Sequence, residues 1–244
     1  KEFNIRRKEQ DEFAMISHNR AEKATKDGIL KEEIVPVPVP PKYDRMIDED
    51  NGIRPGQNME ALAKLKTVFD RRNGTVTAGN ASQITDGAAM VLVMTEEKAS
   101  ELGLEPLGRI RSFSFAGLDP SRMGLGPAFA TPIALDRAGV SFKDIQLFEI
   151  NEAFAVQVLA NLQIFESNAL SKKYLDRDKS CGEINHDILN VNGGAIALGH
   201  PVGSSATRLI ITLLKEMKRR DLNLGLATLC VGGGQGAAFV LERN

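Results

Sequence analysis

The chain has 244 residues, with 31 Lys and Arg against 32 Asp and Glu and a formal net charge of −1. That balance gives no global field to recruit nucleic acid or an anionic membrane, so a partner has to be met at a local site. Aromatics at 5% without a basic stripe exclude the usual nucleic-acid modules, and no apolar run approaches the ~18–20 residues of a membrane-spanning helix.

The length suits one large domain or two small ones. Cys181 and Cys230 are too few for a disulfide framework and suit a reducing interior, the cytoplasm or an organelle matrix. The first residues, KEFNIRRKEQDEF, carry no secretory apolar core and no initiator Met, so the expectation is a processed product or part of something longer.

In chain order, residues 7–27 predict an amphipathic helix with Phe13, Ile16 and neighbouring alanines turned inward and Gly28 after its end. The prolines of EIVPVPVPP reduce an alternating run to an edge strand, since proline cannot donate to a ladder. Residues 40–57 are polar and irregular, and residues 58–69 return to helical spacing. From Gly74 the pattern becomes alternating strand and helix. GTVTAGNAS reads as a short strand and turn, GAAMVLVM as a strand buried on both faces, and TEEKASEL as a helix capped by Thr95 and ended by Gly103.

LGRIRSFSFA alternates as a strand, and PAFATPIALDRAG begins a helix with Pro127 near its first position. DIQLFEIN is a strand running into the helix EAFAVQVLANLQIF. Residues 166–187 read as a charged surface insertion. SSATRLIITLLKEMKRR places Leu209, Ile210, Leu213, Leu214 and Met217 at helical spacing with its cations at the C-terminal end, and LGLATLCVGGGQGAAFVLER reads as an antiparallel hairpin. The class is α/β, a mixed sheet between helical layers.

Four stretches gather polar or reactive groups at strand ends: TAGNAS, NEAF, GHP and CVGGGQG. His200 stands among small residues that leave a ligand room beside its imidazole, though a single histidine is more often a satisfied core residue. Cys230 ends an apolar strand and is followed by three glycines, which puts a thiol next to exposed backbone N–H groups. Asn151 reads either as the N-cap of the following helix or as a site residue. GGGQG lacks the lysine and hydroxyl of a phosphate-binding loop. His18, His186 and His200 have no metal-ligand spacing with each other or with the cysteines, so no metal site is expected.

Taken in order, NEAF, NVNGGAIALGHPVG and GLATLCVGGGQGAA resemble the C-terminal half of the thiolases, which make or cleave 3-ketoacyl-CoA. The likeness extends upstream through RRKEQDEFAMISHNRA, DGILKEEIVPV, LAKLKTVFDRRNGTVTAGNAS and DGAAMVLVMTEEKA. It implies a layered αβαβα fold, incomplete here, with residues 1–72 as a loop domain over CoA, 73–115 as the end of the N-terminal core domain and 116–244 as the C-terminal core domain.

The resemblance also implies roles. His200 matches the histidine that activates the nucleophilic cysteine and holds the thioester oxygen. Asn151 matches the asparagine that positions a water in the same oxyanion hole, Cys230 the acid/base cysteine, and Gly232 the backbone donor of the second hole. Ser82, Phe69, Arg54 and Met123 fall where family members meet CoA, and Phe154 falls near the acyl pocket. CoA and acyl-CoA are then substrates, with no tightly bound cofactor, and the full-length enzyme is a homo-oligomer, dimer or tetramer.

The chain departs from the pattern in one decisive respect: neither Cys181 nor Cys230 matches the family's acylated cysteine. The expectation is therefore a chain without turnover of its own, and with either an associated segment or an exposed apolar face. Gln83 in place of a small residue and the long 166–187 segment lean toward a degradative 3-ketoacyl-CoA thiolase. A CoA-binding module without chemistry is the alternative, against which the joint presence of Cys230, His200 and Asn151 argues. A ketoacyl-synthase type is disfavoured by the acid/base cysteine.

Overall fold

A computed structural model describes residues 2–243, which divide into two compact units. The first comprises the residues up to Asp86 with Glu152–Val156 and Asn190–His200, and the second comprises Gly87–Asn151, Gln157–Leu189 and the residues from Pro201 onward.

The first unit is organised around α1 (Arg7–Lys26). The Glu9 carboxylate accepts the Arg6 backbone N–H at 2.9 Å, satisfying one of the donors a helix start leaves over. At the other end Gly28 turns out of the helix at φ +75°. The inward stripe runs through Gln10, Ala14, Ser17, Ala21 and Ala24, flanked by Asp11, Phe13 and His18. Ile16, expected inside, is 38% exposed. It precedes Ser17 by about 100° of helical rotation, which carries it off a stripe built from small and polar residues.

After a 3-10 turn at Leu30–Glu32, β1 (Val37–Pro38) and β2 (Met46–Ile47) form a short, exposed antiparallel ladder. The helix α2 (Met59–Ala63) starts at Asn58, whose Oδ1 accepts the Ala61 N–H at 2.9 Å, and stops well before residue 69. The Arg7 guanidinium explains the stop: its Nη2 donates to the Leu62 and Leu65 carbonyls at 2.6 and 3.2 Å, occupying acceptors at the helix's C-terminal end. Residues 74–82 form a turn rather than the expected short strand and turn, with isolated bridges from Thr77 to Thr67 and from Ala81 to Phe154. The Asn80 side chain shapes it, accepting the Thr77 N–H and donating to Asp11 Oδ1 at 2.8 Å. Residues 195–198 form α7 (Ala195–Leu198).

The second unit contains α3 (Glu96–Glu101), capped by Thr95 as expected, and a four-stranded mixed sheet. Its strands are β3 (Arg109–Gly117), β4 (Leu147–Ile150), β5 (Leu224–Val231) and β6 (Gln235–Glu242), in the order β3-β6-β5-β4. Only the β4–β5 pair is parallel. The helix α4 (Gly126–Ala138) lies on one face, where its Ala134 and Ala130 carbonyls accept hydrogen bonds from Ser112 and Ser114 of β3, both at 2.6 Å. The helix α8 (Ser205–Arg220) covers the other face over β4 and β5, with Met217 and Leu213 filling the space above Gly225.

Alongside α4, the helix α5 (Ala155–Glu166) is tied in by Asn161, which accepts the Ala128 N–H and donates to the Gly124 carbonyl, both at 2.8 Å. The charged insertion carries α6 (Asn168–Leu175). GAAMVLVM is not the strand buried on both faces that its apolar run predicts. Residues 87–94 join no ladder among the described residues, and Met90, Leu92 and Val93 are 89%, 78% and 71% exposed. Apolar content supplied that expectation, but burial requires neighbouring strands and covering layers, and none lies beside this run among the described residues.

Candidate active site

In the second unit the parallel register brings Asn151 and Cys230 to the same end of adjacent strands. Ile150 pairs with Thr228, and the Asn151 N–H continues the ladder to the Thr228 carbonyl at 2.9 Å. Asn151 is fully buried. It does not cap α5, which starts at Ala155, so the N-cap reading of this asparagine is set aside.

Cys230 pairs with Gly236 across the hairpin and is 6% exposed. Burial pushes its thiol up to about 11, so it is a neutral S–H donor at physiological pH. The turn after it, residues 232–234, holds Gly233 and Gly234 at φ +88° and +89°. A Cβ on Gly234 would also fall 2.5 Å from the Leu118 carbonyl oxygen, so this glycine is required twice over. Gly232 has neither constraint: an added Cβ would meet open space. Met123 lies half-buried in the 3-10 segment Pro120–Leu125, which abuts the same turn. Cys181, also lifted to about 11 by burial, lies in the charged insertion.

In the first unit His200 is half-buried at the end of the glycine-rich loop, directly after α7 and Gly199. Ser82 and Phe154 are held by the short segment 152–155. The Ser82 N–H donates to the Ala153 carbonyl at 2.9 Å, and the Ala155 N–H donates to the Asn80 carbonyl at 2.9 Å. The Phe69 ring stands edge-on to Phe154 with centroids 6.1 Å apart and remains 78% exposed. The Arg54 N–H donates to Nδ1 of buried His18 at 3.2 Å. Desolvation, with the Arg54 charge adding to it, lowers His18 to about 4, so His18 is neutral and acts as an acceptor. Gln83 donates through Nε2 to the Gly52, Ile196 and Ala197 carbonyls at 2.9, 3.4 and 3.3 Å.

One residue that sequence reasoning passed over is Glu152, buried at 1% exposure beneath the His200 loop. Its Oε2 accepts the Ser17 hydroxyl at 2.6 Å and the Ile196 N–H at 3.2 Å, and its Oε1 accepts the Asn190 amide at 2.8 Å. The available signal was the polarity of NEAF at a strand end, which directed attention to Asn151 alone. Among the described residues no group of three His, Cys, Asp or Glu side chains is placed to hold a metal ion, and no helix is long and apolar enough to cross a membrane.

The fold and these segments define a thiolase-type scaffold, and comparison with known proteins agrees. Residues 104–243 match the thiolase C-terminal domain model and residues 1–97 the N-terminal domain model. The chain belongs to the thiolase family. It is 51% identical over 243 residues to a 3-ketoacyl-CoA thiolase of Pseudoalteromonas translucida and 48% identical to one of Aliivibrio fischeri, covering 99% of this chain and 56% and 55% of those proteins. Among solved structures it is similar to the Bacillus anthracis acetyl-CoA acetyltransferase, with a TM-score of 0.87 and 42% identity over 99% of this chain and 57% of that one. The human mitochondrial 3-ketoacyl-CoA thiolase in complex with CoA gives 0.84 and 37% over 100% and 56%. The chain thus spans about half the length of the curated relatives it matches.

Proposed function

We propose that this chain supplies the acid/base and oxyanion-binding part of a thiolase that transfers acyl groups between CoA thioesters, by thiolytic cleavage of 3-ketoacyl-CoA or the reverse Claisen condensation. The observation that carries the reading is the position of Asn151 and Cys230 at the same end of the adjacent parallel strands β4 and β5, beside the Gly232 turn, in a chain of this family.

Cleaving the carbon–carbon bond develops enolate charge on a thioester oxygen, and fixed donors aimed at that oxygen lower the barrier. In this reading His200 and a water held by Asn151 serve that oxygen, and Cys230, kept protonated by burial, delivers the proton to the acyl α-carbon. His200 also activates the nucleophile, and the Gly232 N–H serves the second oxyanion hole, at the oxygen of the acyl-enzyme. Ser82, Phe69, Arg54 and Met123 contact CoA, and Phe154 borders the acyl pocket. The CoA-bound human relative and the names of the bacterial relatives support CoA thioesters as substrates and lean toward the degradative direction. We further assign residues 1–72 to a loop domain over CoA, 73–115 to the end of the N-terminal core domain, and 116–244 to the C-terminal core domain. The active assembly is a homo-oligomer in the cytoplasm.

Because no cysteine among the 244 residues matches the acylated one, these residues alone do not turn over acyl-CoA. Purified chain incubated with acetoacetyl-CoA and CoA should give no acetyl-CoA above the uncatalysed rate by mass spectrometry, and enzyme-dependent product would overturn that claim. Fusing the chain behind the preceding portion of the Pseudoalteromonas relative tests the positive half. Thiolytic activity should appear, and Cys230→Ala or His200→Ala should reduce it by about 10²–10⁴-fold, the range for loss of a general acid or base. A fusion that folds but has no activity would refute the proposed role.

A further inference from the structure

The loop that presents His200, NGGAIALGH, buries Ala195, Ile196 and Ala197 in the core, and all of residues 192–200 but Leu198 and His200 are buried. Backbone polar groups buried in this way need fixed partners. They converge on Glu152. Its carboxylate takes the Ile196 N–H directly, and the Gly194 N–H through the Ser17 hydroxyl, which accepts that N–H at 3.1 Å while donating its own proton to Oε2. The other oxygen holds Asn190, two residues before the loop turns.

Position 194 records how closely backbone and carboxylate approach: a Cβ there would lie 2.3 to 2.6 Å from the three atoms of the Glu152 carboxylate group. The loop is thus shaped around an acid. At its far end Gln83 takes the Ile196 and Ala197 carbonyls, so α7 is held from both ends.

We infer that Glu152 is a positioning residue, whose buried carboxylate fixes the 193–199 loop and thereby the place and orientation of the His200 imidazole. It touches none of the reacting atoms in the proposed chemistry. It lies one position after Asn151, so one dipeptide contributes both an oxyanion-hole residue and the anchor of the histidine loop. A carboxylate suits the task because it only accepts, and here three donors converge on it. The catalytic part of this inference rests on the role proposed for His200, whereas the structural part does not.

Two measurements separate them. In the 244-residue chain, amide hydrogen exchange at Gly194 and Ile196 should accelerate at least tenfold in Glu152→Ala, while Thr228 and Ala237 in the hairpin exchange as in the parent. The His200 Hε1–Cε1 cross-peak should move toward its random-coil position while that of His186 stays. Glu152→Gln retains an acceptor and the side-chain length, so it should restore most of the loop protection. Unchanged exchange at Gly194 and Ile196 in Glu152→Ala, or equal acceleration in the hairpin, would overturn the inference. If the Ala variant does not fold, Ser17→Ala, which removes the relay from the Gly194 N–H to the carboxylate, should accelerate Gly194 at least tenfold, and unchanged exchange there would overturn it.

In the fusion described above, Glu152→Ala should lower kcat at least tenfold with KM for CoA within twofold, and Glu152→Gln should recover much of it. A rise in KM with kcat unchanged would overturn the catalytic part. If the loop loosens as stated but the parent fusion shows no thiolytic activity, the failure belongs to the thiolase reading and not to the loop.

Discussion

His18 shows how far a side chain's environment can reset its chemistry. Buried on α1 and accepting the Arg54 N–H, it has its pKa lowered from 6.5 to about 4, first by desolvation and then by the Arg54 charge. The folded chain therefore refuses a proton that the unfolded chain takes up below pH 6.5. Stability should be constant above about pH 7, fall as pH drops toward 4, and level off below that. At pH 5 the loss should be on the order of 1–2 kcal/mol in urea denaturation followed by circular dichroism. His18→Asn, which keeps an acceptor for the Arg54 N–H and cannot titrate, should flatten this slope. A slope unchanged in the variant would place the pH dependence elsewhere.

His200 and Cys230 were legible as candidates because their neighbours are unusual. Glu152 was not, since a glutamate at the start of a helix reads as a response to the helix dipole. Its partners Ser17, Asn190 and Ile196 lie 135, 38 and 44 positions away, and a network of such separations has no local trace.

Among the elements, α8 and the β5–β6 hairpin were readable because each carries its own periodic signal and turn chemistry. Leu213 is fully buried and its methyls pack where a side chain on Gly225 would otherwise stand, while Ile210 is half-buried. Leu213→Ala should cost about 2–5 kcal/mol and Ile210→Ala clearly less, both read from urea unfolding monitored by circular dichroism. Comparable losses at the two positions would mean that α8 is rotated relative to the sheet. The elements misread are those whose state depends on something beyond their own sequence. The helix from residue 58 ends early because Arg7, more than fifty positions away, takes its terminal carbonyls. Asn151 looked like a cap because the strand-to-helix junction reads as immediate, whereas Glu152, Ala153 and Phe154 intervene, of which Ala153 holds Ser82 and Glu152 holds the histidine loop.

For the whole molecule, the consequence of residues 87–94 is a run of aliphatic side chains in water. Met90, Val91, Leu92 and Val93 are 89%, 40%, 78% and 71% exposed in a segment without ladder partners among the described residues, and a contiguous patch of that kind favours self-association. Two readings of GAAMVLVM make opposite predictions for one substitution. If the run were a strand buried within this chain, Leu92→Glu would place a charge in a core and cost several kcal/mol. Exposed as it is, the same change should alter unfolding free energy by less than about 0.5 kcal/mol, the ordinary range for a surface site, and should reduce association by replacing apolar area with charge. Light scattering across a concentration series should show the parent forming larger species at lower concentration than Leu92→Glu, with urea midpoints that coincide. A large drop in stability would mean that the segment is buried in solution, so that the α/β core of this chain includes one strand more than the four of its mixed sheet.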